Sequence, residues 1–217
     1  MYIFQVFFSM IWYGGTTNVG AFPSSQSAQS NDLTPCAFGS PEPCQCPNNT
    51  IFQNSTTEVT IGANARDVAA ILYSFFDVPW IGVDPVETTG EDLVVGSTRT
   101  MPLGGVYLIE EVLESWKTAN GSYRLALGQK NVPIVMNDTY YFSGYWDDSE
   151  ASYVNETHTK LVWHAHGCLT LPADFREFEL NAINNTFKYL EERGQLVGNS
   201  TLPQTVVFPE FASGGVV

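Results

Sequence analysis

Residues 94–129 read VVGSTRTMPLGGVYLIEEVLESWKTANGSYRLALGQ, and the architecture follows from how this stretch is punctuated. Gly104-Gly105 separates one run, 94–103, from a longer one, Val106–Lys117. Ala119-Asn120-Gly121 then makes a tight turn into Tyr123–Gln129. Consecutive strands joined by such short turns form an antiparallel meander. Side chains alternate along a strand, so Arg99, Met101 and Leu103 share one face of their strand, and Val106, Leu108, Glu110 and Val112 share one face of theirs.

The flanking sequence extends this pattern. Upstream, residues 57–61 alternate as a strand, and 65–76 carry Val68, Ile71, Leu72 and Phe75 at helical spacing. Asn64 is placed to cap that helix, and Pro79 ends the segment. Downstream, residues 139–146 and 153–169 read as strands, with Asp147-Asp148-Ser149 as the turn between them. A last helix spans residues 173–193, with Phe175, Phe178, Ala182, Ile183, Thr186 and Leu190 on one face and Gly194 at its C-terminal stop. The expected class is therefore α+β: a curved antiparallel sheet, closed by one long amphipathic helix over a central cavity. The organisation read is 1–21 signal peptide, 22–54 extended arm, 55–194 folded domain and 195–217 tail.

Acidic residues number 23 and basic residues 9, giving a formal net charge of −14. Such a chain repels phosphate backbones and anionic membrane surfaces, so nucleic acid is excluded as a partner. Apolar residues make up 44%, aromatic residues 13% and charged residues only 15%, a composition that demands a core, an apolar ligand pocket or both.

Residues 3–13 are nearly all apolar but too short to cross a bilayer. Val19-Gly20-Ala21 places small residues as a cleavage site requires, so a signal peptide is read over residues 1–21, although Lys and Arg are missing from its start. The alternative is a buried N-terminal strand. Glycosylation sequons recur at Asn48, Asn54, Asn120, Asn137, Asn155, Asn184 and Asn199. Four cysteines, Cys36, Cys44, Cys46 and Cys168, suit an oxidising lumen and two disulfides. Cys44 and Cys46 are too close to pair with each other, so Cys36 is expected to take one and Cys168 the other. The expected location is the secretory lumen or the exterior, with no membrane anchor after cleavage.

Gly96-Ser97-Thr98-Arg99, Gly105, the 106–112 strand with Glu110 and Glu111, and Leu161-Val162-Trp163 before the final helix resemble the helix-grip fold of the START and birch-pollen-allergen superfamily. The resemblance covers residues 55–193 and extends to plant abscisic-acid receptors and bacterial polyketide cyclases. It implies a sheet wrapped around the C-terminal helix and an apolar cavity for hydrophobic small molecules. The arm, sequons and leader are further similar to glycosylated fungal hetero-Diels–Alderases, which join a tropolone quinone methide to a humulene-type sesquiterpene.

If Arg99 and Glu110 face inward, a carboxyl can serve as acid or base while a guanidinium holds a developing oxyanion. The plain alternative is a structural ion pair. His164 and His166 alternate on one strand face and offer acid–base chemistry, with His164 the catalytic candidate; the alternative turns Trp163 inward and both histidines outward. Two such histidines lack an evident third metal ligand, so no metal site is expected. Trp80, Met101, Leu108, Tyr123, Tyr141, Trp146, Trp163, Phe175 and Phe178 are the expected substrate-binding wall. Nucleotide, flavin and zinc-protease motifs are missing from the sequence, so no cofactor is implied. The function expected is a cofactor-independent cyclase acting on polyketide or terpenoid substrates. The alternatives are a lipid or sterol carrier and a polyketide cyclase or dehydratase.

Overall fold

A computed structural model describes residues 33–47, 49–103, 105–131, 133–137, 140–170 and 175–209, so the segment read as a signal peptide and the start of the arm lie outside the described residues. The elements are β1 (Ile51–Ile61), α1 (Ala65–Leu72), β2 (Glu87–Thr89), β3 (Thr98–Leu103), β4 (Val106–Lys117), β5 (Tyr123–Gln129), β6 (Ile134–Asn137), β7 (Tyr140–Asn155), β8 (His158–Leu169), α2 (Phe175–Glu192) and β9 (Gln204–Phe208). The strands form one antiparallel sheet in the order β2-β3-β4-β5-β7-β8-β1-β9, with β6 paired to β7. This is the α+β helix-grip arrangement, in which the sheet curves around α2.

Local chemistry sets the element ends. Asn64 caps α1 as expected, its side-chain oxygen accepting from the Arg66 amide at 2.9 Å. The helix stops at Leu72 rather than Phe76. Asp92 explains this, because its Oδ1 accepts from the amides of Phe75 and Phe76 at 2.8 and 2.9 Å and turns the chain. Gly121 has φ +93°, and a Cβ there would lie 2.3 Å from the Arg66 amide nitrogen. The β4–β5 turn thus tucks against the start of α1, where only glycine fits.

The expected turn at Asp147-Asp148-Ser149 is not one. β7 runs straight through it to Asn155, paired with β5 on one side and β8 on the other. The turn falls instead at Glu156-Thr157, held by Asn155 Oδ1 accepting from the Thr157 amide at 2.9 Å. β1 is also longer than read, starting at Ile51. The tail returns as β9 on the free edge of β1. It docks where the Val197 and Gly198 amides both donate to the Gly62 carbonyl at 2.8 Å.

Cys36 is bonded to Cys44 and Cys46 to Cys168. The second bridge ties the arm to β8 across 122 residues of sequence, a loop long enough for the bridge to restrict the unfolded chain strongly. No helix among the described residues is long and apolar enough to cross a membrane.

Candidate functional site

Strand alternation sorts the residues of the concave face. β1 sends Ser55, Thr57, Val59 and Ile61 inward, β7 sends Tyr145, Asp147, Ser149 and Ala151, and β8 sends Leu161, Trp163 and Ala165. A large apolar core fills one end, including Ile61, Leu72, Phe75, Val112, Tyr123, Leu161 and Ile183. A smaller cluster of Tyr145, Ala165, Leu169 and Phe175, with Phe142 against it, forms separately. Between them the inner surface carries buried polar groups.

Arg99 and Glu110 are direct cross-strand partners. Arg99 Nε donates to Glu110 Oε2 at 2.6 Å, with the side chains only 3% and 6% exposed. The guanidinium also donates to the Phe75 carbonyl at 2.9 Å and lies 4.7 Å from the centre of the Phe75 ring. The pair therefore faces inward, and it is joined as an ion pair.

Two further acids complete the belt. Asp147 accepts from Tyr145 Oη at 2.7 Å and from Trp163 Nε1 at 2.6 Å. Burial pushes its carboxyl up to about 7; the bond from Tyr145 opposes this, the Glu110 charge adds to it, and Trp163 and Arg99 oppose it. Glu179, on α2, accepts from the hydroxyls of Ser55 and Thr57. Burial raises it to about 7 as well, against those two bonds and with the Asp147 charge assisting. Tyr145 is held well above its ordinary range, chiefly by burial and then by Asp147, so it stays a donor. The belt thus places one guanidinium and three carboxyl groups on the inner surface. Burial pushes two of those carboxyls up to about 7, the range useful for acid–base catalysis.

A stability consequence follows. The folded chain holds protons on Asp147 and Glu179 that the unfolded chain releases near pH 4. Their contribution is complete below that value and is lost as pH rises through about 7. Thermal melts at constant ionic strength should show the midpoint falling from pH 5 to pH 8, and Asp147→Asn should flatten part of that slope. A wild-type slope unchanged by the substitution would contradict the assignment.

The expected wall residues divide. Met101 and Leu108 oppose each other across β3 and β4 in the large core. Trp80, Trp163 and Phe178 pack edge to face, with ring centres 5.1–6.1 Å apart. Tyr123 is fully buried against Tyr73, and Phe175 lies 5.7 Å from Tyr145. The Tyr141 side chain lies outside the described residues.

Two expectations are corrected. Trp146 alternates with the inward Tyr145 and Asp147, so it lies on the outer face, stacked on His166 at 5.0 Å. His164 and His166 are outward too, because Trp163 between them points in. His164 is therefore outside the interior and cannot serve Arg99 and Glu110. On that outer face Glu42 from the arm meets both histidines.

Asp147 and Glu179 were not read from sequence as site residues. Glu179 was findable: it lies four residues after Phe175 and three before Ala182, on the helix face already assigned inward. Of the sequons, Asn120, Asn155, Asn184 and Asn199 are exposed and Asn54 is half-buried; Asn48 and the Asn137 side chain lie outside the described residues.

A family model described as START domain matches residues 52–212, well over half of the chain. No curated protein matches. Among solved structures, norcoclaurine synthase from Thalictrum flavum in complex with dopamine and hydroxybenzaldehyde is similar at 13% identity and TM-score 0.46, covering 67% of this chain and 89% of that one. A protein from Nitrosospira multiformis is similar at 12% identity and TM-score 0.48, covering 64% and 99%.

Proposed function

The chain belongs to the START-domain family, a ligand-binding fold, and from that premise we propose that it is an enzyme of secondary-metabolite biosynthesis working in the secretory lumen or outside the cell. It binds an oxygenated, hydrophobic polyketide- or terpene-derived substrate and directs a cyclisation by acid–base assistance. The observation that carries this reading is Asp147: a buried carboxyl on the inner face, raised to about 7, that feels the charges of the buried Arg99–Glu110 pair. Two formed disulfides and four exposed sequons support the oxidising, glycosylating compartment.

In the specific form suggested by the resemblance to fungal hetero-Diels–Alderases, a hydroxymethyl tropolone takes a proton from Asp147 on its leaving hydroxyl and loses water. The Asp147 carboxylate then takes back a proton from the ring hydroxyl, which leaves the quinone methide and restores the acid. A humulene-type alkene held beside it then adds across the heterodiene. Holding two partners together accounts for up to about 7–11 kcal/mol of barrier in favourable cases. Hydrogen bonding to the dienone oxygen lowers the barrier further.

One observation favours a carrier instead. Each carboxyl of the belt is already hydrogen-bonded within the protein, as a purely structural network would be. Native mass spectrometry of the glycosylated protein, incubated with polyketide–terpenoid extracts, separates the two. The enzyme reading expects a bound component to be replaced by a new product. A ligand retained unchanged favours the carrier and rejects the enzyme. The intact mass also tests removal of residues 1–21 and glycan load.

A further inference from the structure

We infer that Glu42, His164 and His166 form a binding site for a zinc-class divalent cation on the outer face of the sheet. His164 and His166 project from β8 two residues apart, and the third ligand comes from the arm. Glu42 Oε1 lies 2.7 Å from His164 Nε2 and 3.1 Å from His166 Nδ1. The three ligand atoms lie within 4.8 Å of one another. Ligand atoms about 2.0–2.1 Å from a tetrahedral metal stand about 3.3 Å apart, so a small rotation of the carboxylate admits the ion.

A second observation points to the same place. The His166 side chain is only 7% exposed and its ring is poorly satisfied: Nδ1 lies 3.1 Å from Glu42 Oε1 without good hydrogen-bond geometry, and the Ala37 backbone also approaches the ring. A buried imidazole whose polar contacts are this poorly aligned carries a desolvation cost, which a metal bond would remove. Stacking on Trp146 fixes the ring's orientation.

The surroundings supply the supports that metal ligands use. Thr56 Oγ1 lies 2.8 Å from His164 Nδ1, so it can accept the proton that nitrogen carries when Nε2 binds metal. Asn54 Nδ2 donates to Glu42 Oε2 at 2.5 Å and leaves Oε1 for the ion. Asp148 is taken by Arg124, at 2.6–3.1 Å, so it is not a fourth ligand. A cavity of about 100 Å³ adjoins the cluster, lined by Phe38, Ser40 and Arg124 among others, with room for water at the remaining position. Three protein ligands with one open position describe a reactive or exchangeable site rather than a closed structural one. The disulfides Cys36–Cys44 and Cys46–Cys168 bracket Glu42 and hold it there.

The test is calorimetric titration of Zn²⁺ into the untagged, disulfide-intact, chelator-stripped full chain. One equivalent should bind, and the thermal midpoint should rise with it. Glu42→Gln and His164→Ala should each weaken binding by about tenfold or more. His158→Ala, on a histidine remote from the cluster, should not. Circular dichroism confirms that each variant is folded before titration. Absence of stoichiometric uptake by the wild type overturns the inference, leaving the cluster as a latch for the arm. Uptake undiminished in both variants overturns it equally.

Discussion

Arg99→Met should destabilise the protein by about 3–5 kcal/mol, while Arg99→Met/Glu110→Leu should recover most of that loss. Both side chains are nearly inaccessible, and the guanidinium has two protein acceptors. Removing Arg99 alone strands a carboxylate in a low-dielectric interior already holding Asp147 and Glu179. The stranded charge then protonates or drags water inward, and either outcome weakens the fold. Removing both partners deletes the charge problem and leaves apolar groups to pack near Phe75 and Met101. Urea denaturation of the three proteins reads the difference. A single variant as stable as wild type would contradict a buried pair.

The same electrostatics explains why the chain keeps an arrangement of modest benefit to stability. A buried ion pair seldom outperforms well-packed apolar residues of similar volume. Two additional acids raised to about 7 are a net cost at neutral pH. Costs of this kind collect at sites of chemistry, where a proton donor must match the working pH.

Much of this frame was legible in the residues. The glycines and the Asn120-Gly121 turn fixed β4 and β5 to their observed ends, and alternation grouped Arg99 with Met101, and Glu110 with Leu108 and Val112, on the faces that the fold turns inward. Cys44 and Cys46 could not pair with each other, and the observed bridges obey that constraint. Asp147 was hidden for a physical reason. Asp-Asp-Ser has turn chemistry and low strand propensity, so local reading places a break there. Long-range pairing with β5 and β8 overrides that preference, and Tyr145 and Trp163 satisfy the buried carboxyl. The period of two through Tyr145, Asp147, Ser149 and Ala151 was the available signal. Glu42 carried none, because the arm has no periodicity. Only the two disulfides bring it to His164 and His166.

The second large effect is on rate. Asp147→Asn keeps the size of the side chain and can still pair with Tyr145 and Trp163, but it has no proton to donate near pH 7. General acid catalysis is worth about 10²–10⁴-fold, so turnover should fall by that factor while ligand affinity changes little. Tyr145→Phe is expected to act in the same direction more weakly, by removing a hydrogen bond to the acid. The most direct test is the single-turnover rate of Asp147→Asn beside wild type, at pH 6–8, on the substrate captured by native mass spectrometry. The account predicts a loss of about 10²–10⁴-fold with the ligand still bound. An undiminished rate in a folded variant would contradict it.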